Sequence, residues 1–174
     1  MNVLIVGGGM YVSGRGTDTY GTVFPALFEA NKLNLITEVC LLTTSKKSAE
    51  NSKKRFNKIK KLTNSNLIIK IFTNFNKNND PLLQSIKLFK PDLAIIAVPD
   101  HLHKKISLKI IKNTIHCLIV KPMATSIKEA IEMYRLSEKY KIIAQVEFHK
   151  RFDESNLLMK DQIKNNTIGD PLYS

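Results

Sequence analysis

The chain has 174 residues, 43% hydrophobic and 24% charged, values typical of one globular domain with a short extension. Its net charge is +12, but the lysines are dispersed over several predicted helices and no nucleic-acid-binding motif accompanies them. We therefore expect no nucleic-acid partner. No apolar run reaches the roughly 20 residues of a membrane-spanning helix, and the N-terminus lacks the charged start of a signal peptide. We expect a cytoplasmic protein with no membrane partner.

Six apolar segments are predicted to be β-strands. They are residues 2–7 (NVLIVG), 37–44 (TEVCLLTT), 66–73 (NLIIKIFT), 90–99 (KPDLAIIAVP), 116–122 (HCLIVKP) and 141–148 (KIIAQVEF). Proline and glycine punctuate several of their ends, most clearly in the fourth segment, which ends at Pro99. The strands lack polar alternation, which indicates a sheet with helices on both faces.

Helical segments lie between the strands. They are TVFPALFEANK, the polar stretch 48–62, DPLLQSIKLF, HLHKKISLKIIKN and TSIKEAIEMYRLSEKY, the last with apolar residues at Ile127, Ala130, Ile131, Tyr134 and Leu136. Asp80 is the predicted N-cap of its helix, with Pro81 in the first turn. Thr125 and Ser126 are candidate caps for the last helix. The alternation predicts an α/β fold, a Rossmann-type doubly wound parallel six-stranded sheet with right-handed crossovers.

The chain continues past the sixth strand with a helix-like stretch, RFDESNLLMKDQIKNN, and then IGDPLYS, which predicts a turn and the start of another strand. A strand without a partner indicates a second domain that is missing or truncated. We therefore expect residues 1–150 to form a dinucleotide-binding domain. Residues 151–174 are expected to form a connecting helix and the beginning of a truncated α+β substrate domain.

The two cysteines, Cys40 and Cys117, lie inside predicted strands and belong to no CxxC pair. We expect both to be buried reduced thiols. His101 and His103 are two positions apart, a spacing that does not place them on one helical face. The sequence therefore predicts no metal site.

The loop after the first strand, GGGMYVSGRG, raises the question of a nucleotide site. Gly7 and Gly9 fit a tight turn and a close backbone approach to the pyrophosphate of a dinucleotide. A plain strand-to-helix turn that needs positive φ is the alternative. The third glycine of a GxGxxG pattern is absent, because Val12 stands at its position.

A late helix start would explain the missing glycine. Gly21 would then supply the close helix–sheet contact, and MYVSGRGTDTY would be an insertion within the phosphate loop. Met10 and Tyr11, directly after the turn, are further candidate cofactor contacts. Arg15 either reaches a phosphate as a bidentate donor or is solvated.

The end of the second strand predicts which cofactor is preferred. An Asp or Glu there binds the ribose 2′-hydroxyl of NAD and repels the 2′-phosphate of NADP. Here the chain has hydroxyl groups and two lysines, in Thr43-Thr44-Ser45-Lys46-Lys47, and no carboxylate. Thr43, Ser45 and Lys46 are the candidate contacts. The cofactor is thus predicted to be NAD or NADP, with a lean towards NADP.

Several segments together resemble one known family. VLIVGGG, PDLAIIAVPDHLHKKI, CLIVKPMATSIKEA, VEFHKRFD and NNTIGDPLYS are similar to the N-terminal cofactor-binding domain of the Gfo/Idh/MocA oxidoreductases. The resemblance covers nearly the full length. The second and third segments, at their observed separation, carry most of it.

The resemblance implies roles for particular residues. Val98, Pro99 and His103 would line the cofactor channel, whereas His101 is expected to be exposed. Lys121 would lie near the nicotinamide and the substrate hydroxyl, followed by Pro122. Independently, Lys121 follows a strand at the edge where α/β sheets bind ligands. A desolvated lysine there can act as an acid or base, and an ordinary surface lysine is the alternative.

The segment after the sixth strand offers possible substrate contacts. His149 and Arg151, with Lys150 between them, could bind an anionic or hydroxylated substrate, or simply mark the domain boundary. The chain departs from the family at two points. Val120 replaces the glutamate of the Glu-Lys-Pro motif, and no Asp-x-x-x-His motif precedes Ser174.

Two functions remain open on this basis. The leading hypothesis is an NAD(P)-dependent oxidoreductase that acts on a hydroxyl or carbonyl group of a small sugar-like or polyol substrate. The alternative is a dinucleotide-binding module, or an inactive fragment, without turnover. Relatives often associate through the second domain, so a homo-oligomer is expected if that domain is present.

Overall fold

The computed structural model describes residues 1–73 and 80–172. Six strands form one parallel sheet in the order β3-β2-β1-β4-β5-β6. Their bounds are β1 Asn2–Val6, β2 Glu38–Thr43, β3 Ile68–Thr73, β4 Leu93–Ile96, β5 His116–Val120 and β6 Ala144–Glu147. This confirms the predicted doubly wound Rossmann-type sheet, in which every observed strand is shorter than its predicted segment.

Within the described residues, seven helices connect and follow the strands. They are α1 Met10–Ser13, α2 Val23–Lys32, α3 Lys46–Leu62, α4 Pro81–Phe89, α5 His103–Lys112, α6 Ile127–Tyr140 and α7 Glu154–Lys164. Short 3₁₀ turns at Asp100–Leu102 and His149–Phe152 follow β4 and β6.

The core lies on both faces of the central strands. Ile5 of β1 pairs with Leu41 of β2 on one side and with Ile95 of β4 on the other, and all three are buried. Neighbouring residues alternate between two apolar clusters, one on each face of the sheet. The absence of polar alternation follows from this, because β1 and β2 contact apolar layers on both sides. The edge strands β3 and β6 are only half-buried.

The helix starts follow the predicted capping chemistry. Asp80 caps α4 by accepting a hydrogen bond from the Leu82 amide at 2.9 Å, with Pro81 in the first turn. Ser126 caps α6 by accepting from the Glu129 amide at 3.3 Å. Thr125, the other candidate, instead donates to the Glu129 carboxylate at 2.8 Å.

The apolar residues that predicted helix α6 are not the ones that the helix buries. Met133 and Ser137 are its buried side chains, whereas Ile127, Ile131 and Tyr134 are exposed. The helix packs chiefly against α5, and Met133 joins the apolar cluster that also contains Ile110 and Ile111 of that helix.

Both cysteines are free and buried, as predicted. Burial raises the pKa of the Cys40 thiol to about 12 and that of Cys117 to about 11. Both groups therefore stay protonated at neutral pH.

Beyond β6, helix α7 has no buried residue, and residues 165–172 contain no strand. The remainder of the predicted last strand, residues 173–174, lies outside the described residues. Within the described ranges, no helix is long and apolar enough to cross a membrane, and no group of His, Cys, Asp or Glu side chains could hold a metal ion.

Candidate functional site

The strand order creates a crevice at the carboxyl edge of the sheet. The connections run outward in opposite directions from β1 and β4, so the loops after these strands diverge, which is where open α/β sheets bind ligands. A cleft of about 820 Å³ lies there, lined by the ends of β1, β2, β4 and β5 and by the first turns of the following helices.

The glycine turn after β1 forms the floor of this cleft. Gly7 has φ +110°, and a Cβ at this position would overlap the backbone carbonyl of Ala97 after β4. A Cβ on Gly8 would meet Thr43 at 2.9 Å and Ser48 at 3.0 Å. A Cβ on Gly9 would meet nothing within 4 Å, because it would point into open space. The backbone of this turn is thus open to the cleft at Gly9 and closely packed at Gly7 and Gly8.

Such a surface fits the pyrophosphate of a dinucleotide. The first amides of a helix have no partner within it, and Gly9 is the N-cap of α1, which begins at Met10 beside the cleft. No side-chain atom of Gly9 separates these amides from a bound phosphate.

The helix predicted at TVFPALFEANK is present as α2, but a short helix that was not predicted, α1, precedes it. Helix α1 begins at Met10 and ends at Gly14, which adopts the left-handed conformation. Val12 is fully buried in the core. The extra residues therefore follow α1, in an α1–α2 loop (residues 14–22), rather than lying within the phosphate turn.

Gly21 does not supply a helix–sheet contact. A Cβ there would lie 2.7 Å from the backbone of Gly14 and Tyr11. Gly21 therefore closes the α1–α2 loop against α1, and it does not line the cleft.

At the end of β2, Thr43, Thr44 and Ser48 line the cleft. Ser45 and Lys46, both predicted contacts, are exposed and lie outside the cleft lining. The Ser45 hydroxyl caps α3 by accepting from the Ser48 amide at 3.2 Å, so that oxygen is already engaged.

At the end of β4, Val98 and Pro99 line the cleft, whereas His103 lies behind it. His103 is 1% exposed. Its Nδ1 lies 2.6 Å from the Pro122 carbonyl oxygen and its Nε2 lies 2.9 Å from that of Val98. This side chain ties the loops after β4 and β5 together. His101 is exposed, as predicted.

At the end of β5, Val120 and Lys121 line the cleft. Lys121 is exposed. The described residues therefore do not provide the desolvation that would favour its action as an acid or base. Pro122 is exposed. Its carbonyl oxygen contacts the His103 ring, and the residue does not form part of the cleft surface.

A hydrogen-bonded cluster borders the cleft at its β6 end. The Tyr11 hydroxyl donates to the Glu147 carboxylate at 2.5 Å and lies 3.3 Å from Nδ1 of His149. Burial and this bond raise the pKa of Tyr11, so the phenol stays protonated. His149 thus reaches the cleft through Tyr11, whereas Arg151 stacks over the ring of Phe148 at 5.0 Å. Sequence reasoning missed Glu147, because its partner is 136 positions away.

Charged side chains complete the wall. The cations are Arg15, Lys105, Lys109 and Lys121, and the carboxylates are Asp80 and Asp100. Lys109 donates to Asp80, which leaves the cleft with unpaired positive charge. The lysines of α5 could have been found from their spacing of four, Lys105 and Lys109, one turn apart on one face of a helix that starts at this edge.

Residues 1–148 match the model of the Gfo/Idh/MocA family, described as an oxidoreductase family with an NAD-binding Rossmann fold. The chain belongs to the Gfo/Idh/MocA oxidoreductase family. Its matched part is the NAD-binding domain of that family, which confirms the resemblance drawn from the sequence.

Solved Gfo/Idh/MocA structures share the fold at low sequence identity. A levoglucosan dehydrogenase in complex with NADH and levoglucosan is 20% identical, with a TM-score of 0.68 over 97% of this chain. Myo-inositol 2-dehydrogenase from Lactobacillus plantarum is 18% identical, with a TM-score of 0.62 over 97% of the chain. A curated relative from Akkermansia muciniphila, named glycosyl hydrolase family 109 protein 1, is 26% identical over 99 residues.

This chain spans only part of those Gfo/Idh/MocA proteins. It covers 40% and 42% of the two dehydrogenases and 21% of the Akkermansia protein.

Proposed function

We propose that this chain is the cofactor-binding domain of a nicotinamide-dependent dehydrogenase that acts on a hydroxyl or carbonyl group of a small sugar-like or polyol substrate. The observation that carries the proposal is one continuous cleft, at the switch point of the sheet, lined by the glycine turn, Val98-Pro99 and Lys121. Family membership supports the dinucleotide. The levoglucosan and inositol dehydrogenases among the solved neighbours support the substrate class.

Each group of residues has a defined task in this proposal. The bare backbone at Gly9 and the first amides of α1, at Met10 and Tyr11, bind the pyrophosphate, and Gly7 provides the tight turn that leads to them. Val98 and Pro99 form an apolar wall for the nicotinamide half. The bound nicotinamide supplies the hydride chemistry.

Lys121 holds the substrate oxygen beside the nicotinamide and assists transfer of its proton. His103 acts indirectly, because it links Val98 to Pro122 and so fixes the segment that carries Lys121. His149 contacts the substrate from the β6 end, supported by Glu147 and Tyr11.

Cofactor preference is the finer part of the proposal. The family description and the NADH complex of a neighbour favour NAD(H). The absence of a carboxylate at the end of β2, within the described residues, favours NADP(H). We propose NADP(H), with Thr43 contacting the adenosine ribose.

The domain division is also a proposal. Residues 1–150 would form the cofactor domain, and residues 151–174 would lead to a substrate domain. The family match ends at residue 148, and α7 has no buried side chain of its own, which supports the boundary.

A direct titration tests the proposal. The purified chain is titrated with NADH and with NADPH while nicotinamide fluorescence is recorded. Saturable binding of either one supports a cofactor domain, and binding of neither would refute it. A chain that binds a dinucleotide but shows no turnover with any polyol tested, even when joined to a substrate domain, would favour the non-catalytic module. Val120 lines the cleft at the position of the family's glutamate. The loss of that carboxylate is the physical reason why a chain could bind a dinucleotide without turnover.

A further inference from the structure

The Arg55 side chain of helix α3 links that helix to the backbone of the α1–α2 loop and to the end of α1. Arg55 donates to the carbonyl oxygens of Thr19 at 2.6 Å, Thr17 at 2.8 Å and Ser13 at 3.4 Å. A guanidinium group suits this task, because its donors form a rigid planar fork. One α3 side chain therefore fixes three backbone positions that are far away in the sequence.

Other contacts fix the two ends of the loop. The Gly14 amide donates to the Met10 carbonyl at 2.7 Å, and the Thr22 amide donates to the Tyr11 carbonyl at 2.7 Å. The Lys58 ammonium lies 5.6 Å from the centre of the Tyr20 ring. The loop is thus anchored at both ends and in the middle, whereas its Arg15 side chain remains exposed.

The anchored loop places Arg15 beside the end of β2. Arg15 lines the cleft together with Thr43, Thr44 and Ser48, and its Nη1 lies 3.4 Å from the Ser48 hydroxyl. The end of β2 is where Rossmann domains distinguish the adenosine riboses of NAD and NADP. The pyrophosphate cradle at Gly9 follows a different strand, β1.

The chemistry of this corner suits an anion better than a free 2′-hydroxyl group. The usual acceptor for that hydroxyl is missing, because no carboxylate stands in the described residues from Thr43 to Ser48. The Ser45 hydroxyl accepts from the Ser48 amide, and the Thr43 hydroxyl donates to the Ser45 carbonyl. The first turn of α3 has no acidic residue.

We propose that the α1–α2 loop selects the cofactor, with Arg15 binding the 2′-phosphate of NADP(H) and Arg55 holding the loop in position. This inference rests on the proposed function. Anchoring the loop before binding reduces the ordering cost that a long arginine on a free loop would add. The α1–α2 loop is an insertion that interrupts the helix usually found after the glycine turn. The proposal gives this insertion a role in cofactor recognition.

The test compares dinucleotides that differ only in the 2′-phosphate. NADPH and NADH are titrated against the wild-type chain, Arg15→Gln and Arg55→Ala, and against Lys53→Ala as the matched control. Lys53 is an exposed cation of α3 outside the cleft, so its removal corrects for losing one charge from a chain of net charge +12. Adenosine 2′,5′-bisphosphate and adenosine 5′-monophosphate provide a readout without the nicotinamide.

We expect tighter binding of NADPH by the wild type. Arg15→Gln should weaken NADPH by about ten-fold or more, the usual effect of losing a charge-assisted bond, and NADH by less than about two-fold. Arg55→Ala should shift selectivity in the same direction, with Arg55→Lys as a second variant if the alanine protein unfolds.

Two outcomes overturn the inference while leaving the proposed function intact. One is equal weakening of both dinucleotides by Arg15→Gln, which would assign Arg15 to the pyrophosphate. The other is tighter binding of NADH by the wild type. Binding of neither dinucleotide would remove the proposed function itself, and the inference with it.

Discussion

Two glycines of the β1–α1 turn provide a matched pair of substitutions, because the structure assigns them opposite roles. Gly7 has φ +110° and lacks room for a Cβ, since the Ala97 carbonyl carbon would lie at 2.9 Å and its oxygen nearer still. Gly9 has φ −77° and ψ −167°, which any residue adopts, and free space around its Cβ position. Gly7→Ala should therefore destabilise the fold, whereas Gly9→Ala should affect only dinucleotide binding.

The cost of Gly7→Ala can be worked from these two features. A non-glycine residue at this φ costs about 1–3 kcal/mol, and displacing the packed backbone after β4 adds about 1–3 kcal/mol. The total of about 2–6 kcal/mol is a large part of a typical domain stability of about 5–15 kcal/mol. At about 2–4 °C per kcal/mol for a chain of this size, Tm should fall by about 4–24 °C.

Gly9→Ala should leave the free energy of unfolding within about 0.5 kcal/mol of the wild type, as for a surface substitution. It should nevertheless weaken NADH and NADPH equally, because the new methyl group lies where the pyrophosphate approaches the backbone. Urea unfolding and fluorescence titration on both variants measure the two effects. Unchanged dinucleotide binding by a folded Gly9→Ala protein would refute the assignment of this turn to the pyrophosphate.

The remaining predictions concern buried and paired groups. His103→Ala should lower the free energy of unfolding by about 2–4 kcal/mol, because it leaves a cavity and removes the ring that lies between the Val98 and Pro122 carbonyls; a loss below about 1 kcal/mol in urea unfolding would contradict the linking role. Burial raises the pKa of Asp80, but hydrogen bonds from Lys109 and two amides outweigh it and lower the pKa below 3.8. The carboxylate therefore stabilises the fold above that pH, and this contribution is lost as the pH falls through the pKa of Asp80 in the folded chain. Asp80→Asn, which keeps a capping side chain, should cost about 1 kcal/mol or less at pH 7, and its difference from the wild type should vanish towards pH 2; a difference that grows on acidification would show the opposite sign. Cys40 and Cys117 should resist Ellman's reagent at pH 8 in the folded chain and react within minutes in denaturant, since burial raises their pKa values to about 12 and 11; labelling of the folded chain at the rate seen in denaturant would mean that the core opens readily.

Local sequence signals account for those candidate site residues that line the cleft. Gly7, Gly9 and Val98-Pro99 lie at strand ends, and parallel strands bring their carboxyl ends to a single edge. Asp80 and Ser126 cap their helices through contacts within three residues. Such contacts depend on neighbours in the chain and can be read from residue order.

The candidate residues that do not line the cleft depend on other contacts. Ser45 and Lys46 have suitable chemistry for a cofactor contact but lie outside the cleft lining, and the Ser45 hydroxyl caps α3. His103 was expected in the channel and is instead buried between two loops. Gly21 was assigned to the sheet and instead packs on α1. In each case the outcome depends on which element lies opposite, and nothing in the local pattern encodes that.

The sequence by itself determined the sheet: six aliphatic segments that must bury both faces and connections long enough for crossovers permit little besides a doubly wound arrangement. It also determined the position of the glycine turn, since positive φ at Gly7 demands a residue without Cβ. Only the tertiary structure decided the path of the α1–α2 loop. That path is fixed by Arg55, which reaches carbonyl groups 36 to 42 positions away, and no periodicity or local spacing records a bond between a side chain and the backbone of another loop.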